Sequence, residues 1–433
     1  MEEIRNVIDN RLRNIKHATI PYNEKWKIKK GDNIPVVTYS FTQSIPRGYY
    51  SYELNHKHPI SSLNQLQIDQ AKTAFKNIAD VANIRFIEVN DTKANIPIIN
   101  AYPESPMNIS GYAFSPNSGN LSPICINADH SENLTPTYLN RGGYVIVHEI
   151  LHAVGLKHTD GLSHRESVML PFTKSYTNKN HDEYYASTPQ LYDIAALQYL
   201  YGANMRTRTG NTTYGFNSNS GRKHFSAYNS SVPLIFCVWD AGGIDTFDFS
   251  EYTQNQMINL NQGSFSNVGG LTGNISIAFN VTIENTIGGK GNDILIGNQE
   301  NNTLKGGSGD DQLDGGPGAD HLWGGEGRDI FRYSDINDST LNTADTIYDF
   351  ESGQDKIDLS SLANGNIILT DEFRSTNHHR GRTEVAQFYG ETSNLTYLMI
   401  NFDHTEQTEM VIKLAGKHQL TAHDFICAPL LTA

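Results

Sequence analysis

Residues 148–158 read HEILHAVGLKH. On an α-helix, His148 and His152 lie one turn apart and differ by roughly 40° in azimuth, so both imidazoles can reach one metal ion. Glu149 lies off that line, near enough to act on a water at the metal without binding the metal itself. The spacing therefore predicts a helical face that presents two metal ligands beside a carboxylate.

The residues that follow supply a third ligand. Gly155 is expected to end the helix, because glycine adopts positive φ at little cost, and the turn brings His158 back towards the metal. Three neutral nitrogens leave a fourth position for water, which is typical of a catalytic zinc site. Zinc would acidify that water, and Glu149 would take its proton and pass it to a leaving amine. The alternative is a buried helix with incidental histidines, and Gly155 with His158 at this spacing favours the zinc site.

Composition limits the class of protein. The chain has 433 residues, enough for two or three domains, and is 38% hydrophobic and 18% charged. A net charge of −14 argues against a nucleic-acid partner. No apolar run approaches the ~18 residues of a membrane span. The three cysteines form no CxxC pair and are expected to be free thiols.

The N-terminus is charged throughout and lacks the apolar core of a classical signal peptide. Its apolar residues recur at helical spacing and predict an amphipathic helix; they are Ile4, Val7, Ile8, Leu12 and Ile15. An exported protein of this sequence would therefore need another export route.

Helix and strand patterns are confined to the first half of the chain. Helices are predicted at residues 65–79, 144–154 and 191–200, the first with an apolar face of Leu66, Ala71, Ala74, Phe75 and Ile78. Strands are predicted at residues 84–89, 96–99, 111–114 and 124–126. A sheet with long helices indicates an α+β or α/β domain. After Gly202 the helix signals stop, and short β-like runs alternate with turns.

A repeat with a period of nine runs from Gly288 to Arg332, and four of its five units fit GGxGxDxUx. The second unit, residues 297–305, is degenerate and has Asn302 in place of Asp. The pattern resembles the β-roll repeats of RTX proteins, in which each GGxGxD loop binds Ca²⁺ and the following short strand points an apolar residue inward. Successive turns are expected to share ions between Asp293, Asp311, Asp320 and Asp329. The inward residues would be Leu295, Leu304, Leu313, Leu322 and Phe331. A flexible Gly-rich linker is the alternative, but it would not keep the apolar position.

The zinc motif resembles the metzincin signature, which requires a methionine turn downstream. Residues 167–171 read SVMLP and supply it, with Met169 expected beneath the site. A metzincin domain followed by a calcium roll resembles the serralysins, the bacterial alkaline metalloproteases, over nearly the whole chain. The resemblance implies an α+β catalytic domain at residues 1–205 and an all-β parallel β-roll domain with a C-terminal secretion region at residues 206–433.

The resemblance also implies calcium ligands. A site near the start of the roll would use Arg208, Gly210, Thr212, Asp240, Gly242, Gly243 and Asp245, with Thr282 and Glu284 at a neighbouring site. The repeats would contribute Gly289, Gly291, Asp293, Gly307, Gly309, Asp311, Gly316, Gly318, Asp320, Gly325, Gly327 and Asp329.

One departure from the family concerns catalysis. Serralysins place a tyrosine two residues after the methionine, where it ligates zinc or stabilises the oxyanion, but this chain has Pro171 there, as matrixins do. Tyr176 is a candidate substitute; the alternative is an ordinary loop tyrosine. The family also carries an uncleaved type I secretion signal, and residues 424–427, DFIC, match its usual C-terminal pattern, although six residues follow them.

The favoured function is a secreted, monomeric zinc endopeptidase that binds one catalytic Zn²⁺ and several structural Ca²⁺ ions. Protein and peptide substrates would bind extended along an edge strand near residues 111–115 and be cleaved with broad preference. The same cleft would accept a proteinaceous inhibitor. Two alternatives stay open: an RTX adhesion or binding protein with a weakened protease domain, and a metzincin of narrow specificity.

Overall fold

The computed structural model describes residues 24–43, 60–91, 93–102, 109–116, 121–171, 184–363, 367–370, 383–402 and 408–428. The predicted N-terminal helix lies outside them. The chain divides into two compact units. The first comprises Met1–Thr209, Ile235–Ala241 and Ser276–Val281, and the second comprises Gly210–Leu234, Gly242–Ile275 and Thr282–Ala433. The domain boundary at residue 205 stays a prediction.

The first unit contains a mixed sheet and helices. The strands of this sheet are β1 (Val36–Phe41), β2 (Arg85–Glu88), β3 (Ile96–Ala101), β4 (Gly111–Ala113) and β5 (Ile124–Asn127). The helices among the described residues are α1 (Gln65–Val81), α2 (Ser131–Leu134), α3 (Arg141–Ala153) and α4 (Leu191–Tyr201). The sheet order is β2-β1-β3-β5-β4, and every neighbouring pair is parallel except β4 with β5. The short strand β4 therefore forms one edge of the sheet.

The three predicted helices are confirmed, but the predicted face of α1 is wrong at one position. Leu66 is 54% exposed, and Gln67 is buried in its place. Gln67 forms a capping box with Asn64, and its amide donates to Asn100 Oδ1 and to Asn133 O. Hydrogen bonds at the helix start thus decide which side chain turns inward.

Helix α3 begins at Arg141, three residues before the predicted start at Tyr144. Asn140 caps it by accepting a hydrogen bond from Gly143 N at 2.9 Å. A Cβ atom on Gly143 would lie 1.8 Å from Thr137 O, so glycine allows this close approach. In the sequence, two adjacent glycines suggest that a helix is interrupted. Gly142 and Gly143 lie inside α3 instead, because neighbouring backbone leaves no room for a side chain at either position.

The second unit is built almost entirely of short strands, and after Tyr201 its only described helices are single 3-10 turns at Lys223–Phe225 and Ala422–Asp424. The strands that begin before the repeat are β6 (Thr213–Gly215), β7 (Phe236–Val238), β8 (Thr246–Asp248), β9 (Met257–Asn259), β10 (Phe265–Ser266), β11 (Ile275–Ile277) and β12 (Asn285–Ile287), of which β7 belongs to the first unit and β11 spans the division at Ser276. The repeat itself forms β13 (Ile294–Ile296), β14 (Thr303–Ser308), β15 (Gln312–Asp314), β16 (His321–Glu326) and β17 (Ile330–Arg332). The remaining strands are β18 (Asp345–Ile347), β19 (Lys356–Asp358), β20 (Ile368–Thr370), β21 (Glu384–Gly390), β22 (Leu395–Asn401), β23 (Met410–Ala415) and β24 (Phe425–Ile426).

The repeat strands alternate between two parallel sheets. Strand β13 pairs with β15, and β15 with β17, in a six-stranded sheet; β12, β14 and β16 pair within a ten-stranded sheet. Neighbours in one sheet are therefore eighteen residues apart, as in Leu295 opposite Leu313. Successive nonapeptides lie in different sheets, so the turns that adjoin are those of alternate repeats, and Asp320 lies on the other side from Asp293, Asp311 and Asp329. The sharing of ions between adjoining turns stays a prediction.

The apolar residue of each repeat faces the interior of the roll, as predicted. Their exposed fractions are 0 or 1% for Leu295, Leu304, Leu313, Leu322 and Phe331. The antiparallel strands β21, β22 and β23 extend the ten-stranded sheet and were not predicted. Within the described residues no helix is long and apolar enough to cross a membrane. The three cysteines are free thiols, with Cys125 and Cys237 buried.

Candidate zinc centre and calcium-binding turns

The three predicted histidines lie together at the end of α3. His158 Nε2 lies 3.0 Å from His148 Nε2 and 3.2 Å from His152 Nε2. Gly155 has φ +105°, and a Cβ atom there would lie 2.3 Å from Glu24 O, so the turn after the helix depends on glycine. The three side chains form a group whose ligand atoms lie within 4.8 Å of one another.

The hydrogen bonds of the rings decide which nitrogens face one another. His148 Nδ1 donates to Val168 O and His152 Nδ1 donates to Leu156 O, each at 2.7 Å. Their Nε2 atoms therefore carry lone pairs, which point into the same small space as His158 Nε2. Converging lone pairs repel unless a cation lies between them, so this donor set fits a zinc ion.

Electrostatics keep the rings neutral. Burial is the largest cause and lowers the pKa of His148 well below its usual value, with repulsion from His152 adding to it. Burial likewise lowers the pKa of His152 to about 4 and lowers that of His158. Neutral imidazole is the form that binds metals.

Glu149 is buried beside this group, with 1% of its surface exposed. Its Oε2 atom has no hydrogen-bond partner among the described residues. Burial raises the pKa of this carboxyl to about 8. A buried, unsatisfied carboxylate is costly, and a metal with its water is the kind of partner that would satisfy it.

The edge strand β4 runs beside Glu149. A Cβ atom on Gly111 would lie 3.0 Å from Glu149 Oε1 and 3.2 Å from Cys125 O. Gly111 therefore leaves just enough room for the carboxylate between the strand and the helix.

Met169 is buried in the predicted methionine turn, with 1% exposure. Its carbonyl oxygen accepts a hydrogen bond from Thr159 N at 2.9 Å, which ties the turn to the residue after His158. Pro171 ends the described part of this segment, and Tyr176 lies outside the described residues.

Sequence reasoning missed that a buried pair, Ser167 and Asp193, holds the methionine turn. Asp193 on α4 accepts hydrogen bonds from Ser167 Oγ at 2.6 Å and from Val168 N at 2.8 Å. The one available signal was an aspartate on the otherwise apolar helix LYDIAALQYLY. Its partners lie 25 and 26 residues away, so only the tertiary fold brings them together.

The predicted roll aspartates form two columns, one on each side. In one column, Asp293 N donates to Asp311 Oδ1 at 2.7 Å, and Asp311 N donates to Asp329 Oδ1 at 2.9 Å. In the other, Asn302 N donates to Asp320 Oδ1 at 2.7 Å. The Oδ2 atoms of Asp311, Asp320 and Asp329 are buried without a hydrogen-bond partner among the described residues.

The repeat glycines bring backbone carbonyls close to these carboxylates. A Cβ atom on Gly307 would lie 2.3 Å from Gly289 O, and one on Gly327 would lie 2.0 Å from Gly309 O. Three other predicted glycines, Gly316, Gly318 and Gly325, stack on the turn eighteen residues earlier in the same way, whereas Gly291 lies against Gln254 and Asn255. Carbonyl and carboxylate oxygens of this kind are the ligands that Ca²⁺ prefers.

Part of the predicted site at the start of the roll is assembled in the second unit. Thr212 N donates to Asp245 Oδ1 at 2.7 Å, and Thr212 Oγ1 donates to Gly210 O at 3.0 Å. Asp245 N donates to Glu284 Oε2 at 2.6 Å. Gly242 and Gly243 both have positive φ, of +137° and +145°.

Three further ligands predicted for that region, Thr282, Arg208 and Asp240, stay predictions. Thr282 is exposed. Arg208 and buried Asp240 belong to the first unit. The Arg208 guanidinium donates to Trp239 O and pairs with Asp80 at 3.2 Å, so its side chain is engaged there.

Comparison with known proteins assigns both halves of the chain. Residues 46–202 match the family model described as matrixin, and residues 203–427 match the model described as peptidase M10 serralysin C terminal. Together with the histidine group, these matches define a zinc metalloendopeptidase of the metzincin class.

Individual relatives narrow the class. Serralysin A of Dickeya chrysanthemi is 46% identical over 84% of this chain and 80% of its own length. Metalloprotease AprA of Pseudomonas entomophila (strain L48) is 41% identical over 92% and 86%, and serralysin of Proteus mirabilis is 42% identical over 88% and 85%. The chain belongs to the serralysin family. A solved structure of the AlgE6R2 subunit of an Azotobacter vinelandii mannuronan C5-epimerase covers 43% of this chain and 94% of its own, at 24% identity and a TM-score of 0.24.

Proposed function

We propose that this chain is a secreted endopeptidase that cleaves proteins with broad sequence preference, with Glu149 as the general base. One observation carries the proposal: the Nε2 atoms of three histidines converge next to a buried carboxylate whose Oε2 atom has no partner among the described residues. His148, His152 and His158 would hold the zinc ion. Zinc, when bound, supplies a Lewis acid that acidifies water and polarises a carbonyl group.

The chain's own residues would supply substrate positioning and proton transfer. Strand β4 is the edge of its sheet, so a substrate can pair with it in extended form through backbone hydrogen bonds. Because backbone pairing does not depend on the side chains of the substrate, it supports a broad sequence preference. Glu149 Oε2 would take a proton from the attacking water and return it to the leaving amine.

Calcium and export complete the proposal. The two aspartate columns would bind several Ca²⁺ ions that fold the roll. Export by a type I route is supported by the resemblance of Asp424-Phe425-Ile426-Cys427 to the family's C-terminal signal. The protein would act as a monomer, and a proteinaceous inhibitor would occupy the cleft. Oxyanion stabilisation by Tyr176 stays a prediction. The RTX adhesin alternative is not favoured, because the four residues of the zinc motif are all present.

Casein hydrolysis by the calcium-loaded full-length protein tests the general base. Glu149→Ala is expected to lower kcat by at least about 10²–10⁴-fold, the usual contribution of a general base. Zinc content should stay at the wild-type level, because this side chain is not a ligand in the proposal. Hydrolysis that survives the substitution would exclude Glu149 as the base. Chelation followed by zinc addition should abolish and then restore activity.

A further inference from the structure

A line of hydrogen bonds leads from a buried carboxylate on α4 to the first histidine. Ser167 Oγ lies 2.6 Å from Asp193 Oδ1, and Met169 N lies 2.9 Å from Ser167 Oγ. The peptide group between Val168 and Met169 continues the line, because Val168 O lies 2.7 Å from His148 Nδ1. All five residues are at most 2% exposed, so every link is shielded from water.

Only one set of donor directions satisfies every link. The Met169 amide can only donate, so Ser167 Oγ accepts from it and directs its own hydrogen to the Asp193 carboxylate. At the other end Val168 O can only accept, so His148 Nδ1 carries the proton. His148 Nε2 then keeps its lone pair for the metal.

We infer that Asp193 and Ser167 are positioning residues for the zinc site, which act through the Val168–Met169 peptide to strengthen the hydrogen bond that holds His148 Nδ1 and, with it, the binding of zinc by His148 Nε2. Hydrogen bonds in series polarise one another in a medium of low dielectric constant. A negative charge at one end therefore makes Val168 O a better acceptor, and His148 Nε2 a better donor of electrons to a cation. The inference rests on the proposed function only in requiring that this site binds zinc.

The carboxylate that starts the line is itself rigidly held. Asp193 Oδ2 accepts from Val168 N at 2.8 Å and from Gln190 N at 2.9 Å. Burial raises its pKa to about 6, and the hydrogen bonds from Ser167, Val168 and Gln190 oppose that rise. The group is therefore ionised at neutral pH. The competing explanation is that Asp193 only caps α4. Oδ2 alone would be enough for that role, because it is the atom that accepts the hydrogen bond from Gln190 N.

Two substitutions separate positioning from capping. Ser167→Ala cuts the line but leaves both Oδ2 hydrogen bonds of Asp193 in place. Asp193→Asn keeps the size of the side chain and removes the charge. Ser187→Ala is the matched control, because Ser187 is equally buried in the same unit and its hydroxyl donates to Tyr138 O, away from the line.

The measurement is the zinc dissociation constant of the calcium-loaded full-length protein, obtained by chelator competition, together with Tm of the zinc-free form. We expect Ser167→Ala and Asp193→Asn each to weaken zinc binding by about 10–100-fold, as loss of a partner behind a metal histidine does. Ser187→Ala should leave zinc binding unchanged. Imidazole nitrogen chemical shifts of zinc-free protein should show the Nδ1-protonated tautomer of His148 in wild type and in Ser167→Ala, with the Nδ1 shift of the variant moved towards that of a weaker hydrogen bond.

Wild-type zinc affinity in Ser167→Ala would overturn the inference, and so would an equal loss in Ser187→Ala. If Ser167→Ala does not fold, Asp193→Asn decides the question by the same criterion. Wild-type protein that binds zinc but hydrolyses no casein would refute the proposed function, while the zinc affinities would still decide the role of the line.

Discussion

Gly111, which is distant from Glu149 in the sequence, limits the position of the Glu149 carboxylate. The carboxylate lies against Gly111, and a methyl group at that position would come within 3.0 Å of Oε1 and 3.1 Å of Cγ. Gly111 does not have positive φ, so its backbone would accept alanine without strain. The reason for glycine is the space that the Glu149 carboxylate, the proposed general base, occupies.

Gly111→Ala is therefore expected to displace Glu149 by a few tenths of an ångström and lower kcat. Because small displacements of catalytic groups can cost up to about 10²-fold, we expect a loss of roughly tenfold or more in casein hydrolysis. Zinc affinity should not change, since the three atoms nearest to the new methyl group belong to Glu149 and Cys125 and not to the histidines. A loss of zinc that accompanies the loss of activity would contradict this explanation.

At this scale, local spacing predicted the zinc group and the methionine turn, but not the roles of Ser167, Asp193 and Gly111 in supporting the site. His148, His152 and His158 lie within one helix and the turn after it, so helix geometry alone brings them together. Ser167 and Asp193 meet only because α4 packs against the methionine turn. The role of Gly111 depends on the register of β4 with β5, which pairs it with Ile126.

Among the elements, the degenerate turn of the repeat replaces an ionic group with an amide. Asn302 is fully buried, and its Nδ2 donates to Glu284 O at 3.0 Å and to Asn298 Oδ1 at 3.1 Å. Its Oδ1 accepts from Asn298 N at 2.7 Å. This turn is therefore closed by hydrogen bonds that need no cation.

Asn302→Asp is expected to make that turn depend on calcium. The new carboxylate oxygen would face two acceptors in a buried position, which costs about 1–3 kcal/mol without a cation. Thermal unfolding in a calcium chelator should show a lower Tm than wild type, and added calcium should restore much of the loss. Asn301→Asp is the control, because it adds the same charge at an exposed neighbour and should change Tm little. Equal Tm values for Asn302→Asp and wild type in chelator would contradict the role of the amide.

Helices, which show strong periodicity in the sequence, were predicted well. Short strands that form through pairing with neighbouring strands were predicted less well. Helices α1, α3 and α4 were placed within three residues, because α1 and α3 have an apolar face and α4 is apolar along most of its length. Strand β1 was missed although it lies inside the first sheet, between β2 and β3. Its six residues, VVTYSF, carry no turn signals that distinguish them from other short apolar runs.

For the molecule as a whole, the period of nine predicted the roll and its interior but not which turns adjoin. Alternation between two sheets is a property of the three-dimensional path, and it separates Asp320 from Asp293, Asp311 and Asp329. In the absence of a cation each column stacks buried carboxylates. Burial, the largest cause, raises the pKa of Asp311 to about 8 and that of Asp329 to about 6.

These shifts give the stability of the calcium-free roll a definite pH dependence. An unfolded aspartate has a pKa of about 4, so the folded, calcium-free roll holds protons more tightly than the unfolded chain does. Stability should therefore fall as pH rises from about 4 to about 8, as Asp329 and then Asp311 lose their protons at a cost. Bound calcium would replace those protons and should remove or reverse the trend.

Thermal unfolding followed by circular dichroism, in chelator and in calcium across this pH range, measures the effect. Asp311→Asn should flatten the calcium-free dependence near the upper end of the range, because the variant has no proton to lose there. Asp310→Asn is the matched control, since Asp310 is an exposed neighbour that pairs with Arg328 and its pKa is lowered, chiefly by that hydrogen bond. A calcium-free Tm that rises with pH would show that the columns are not protonated in the folded state, and would remove the electrostatic reason for calcium-dependent folding.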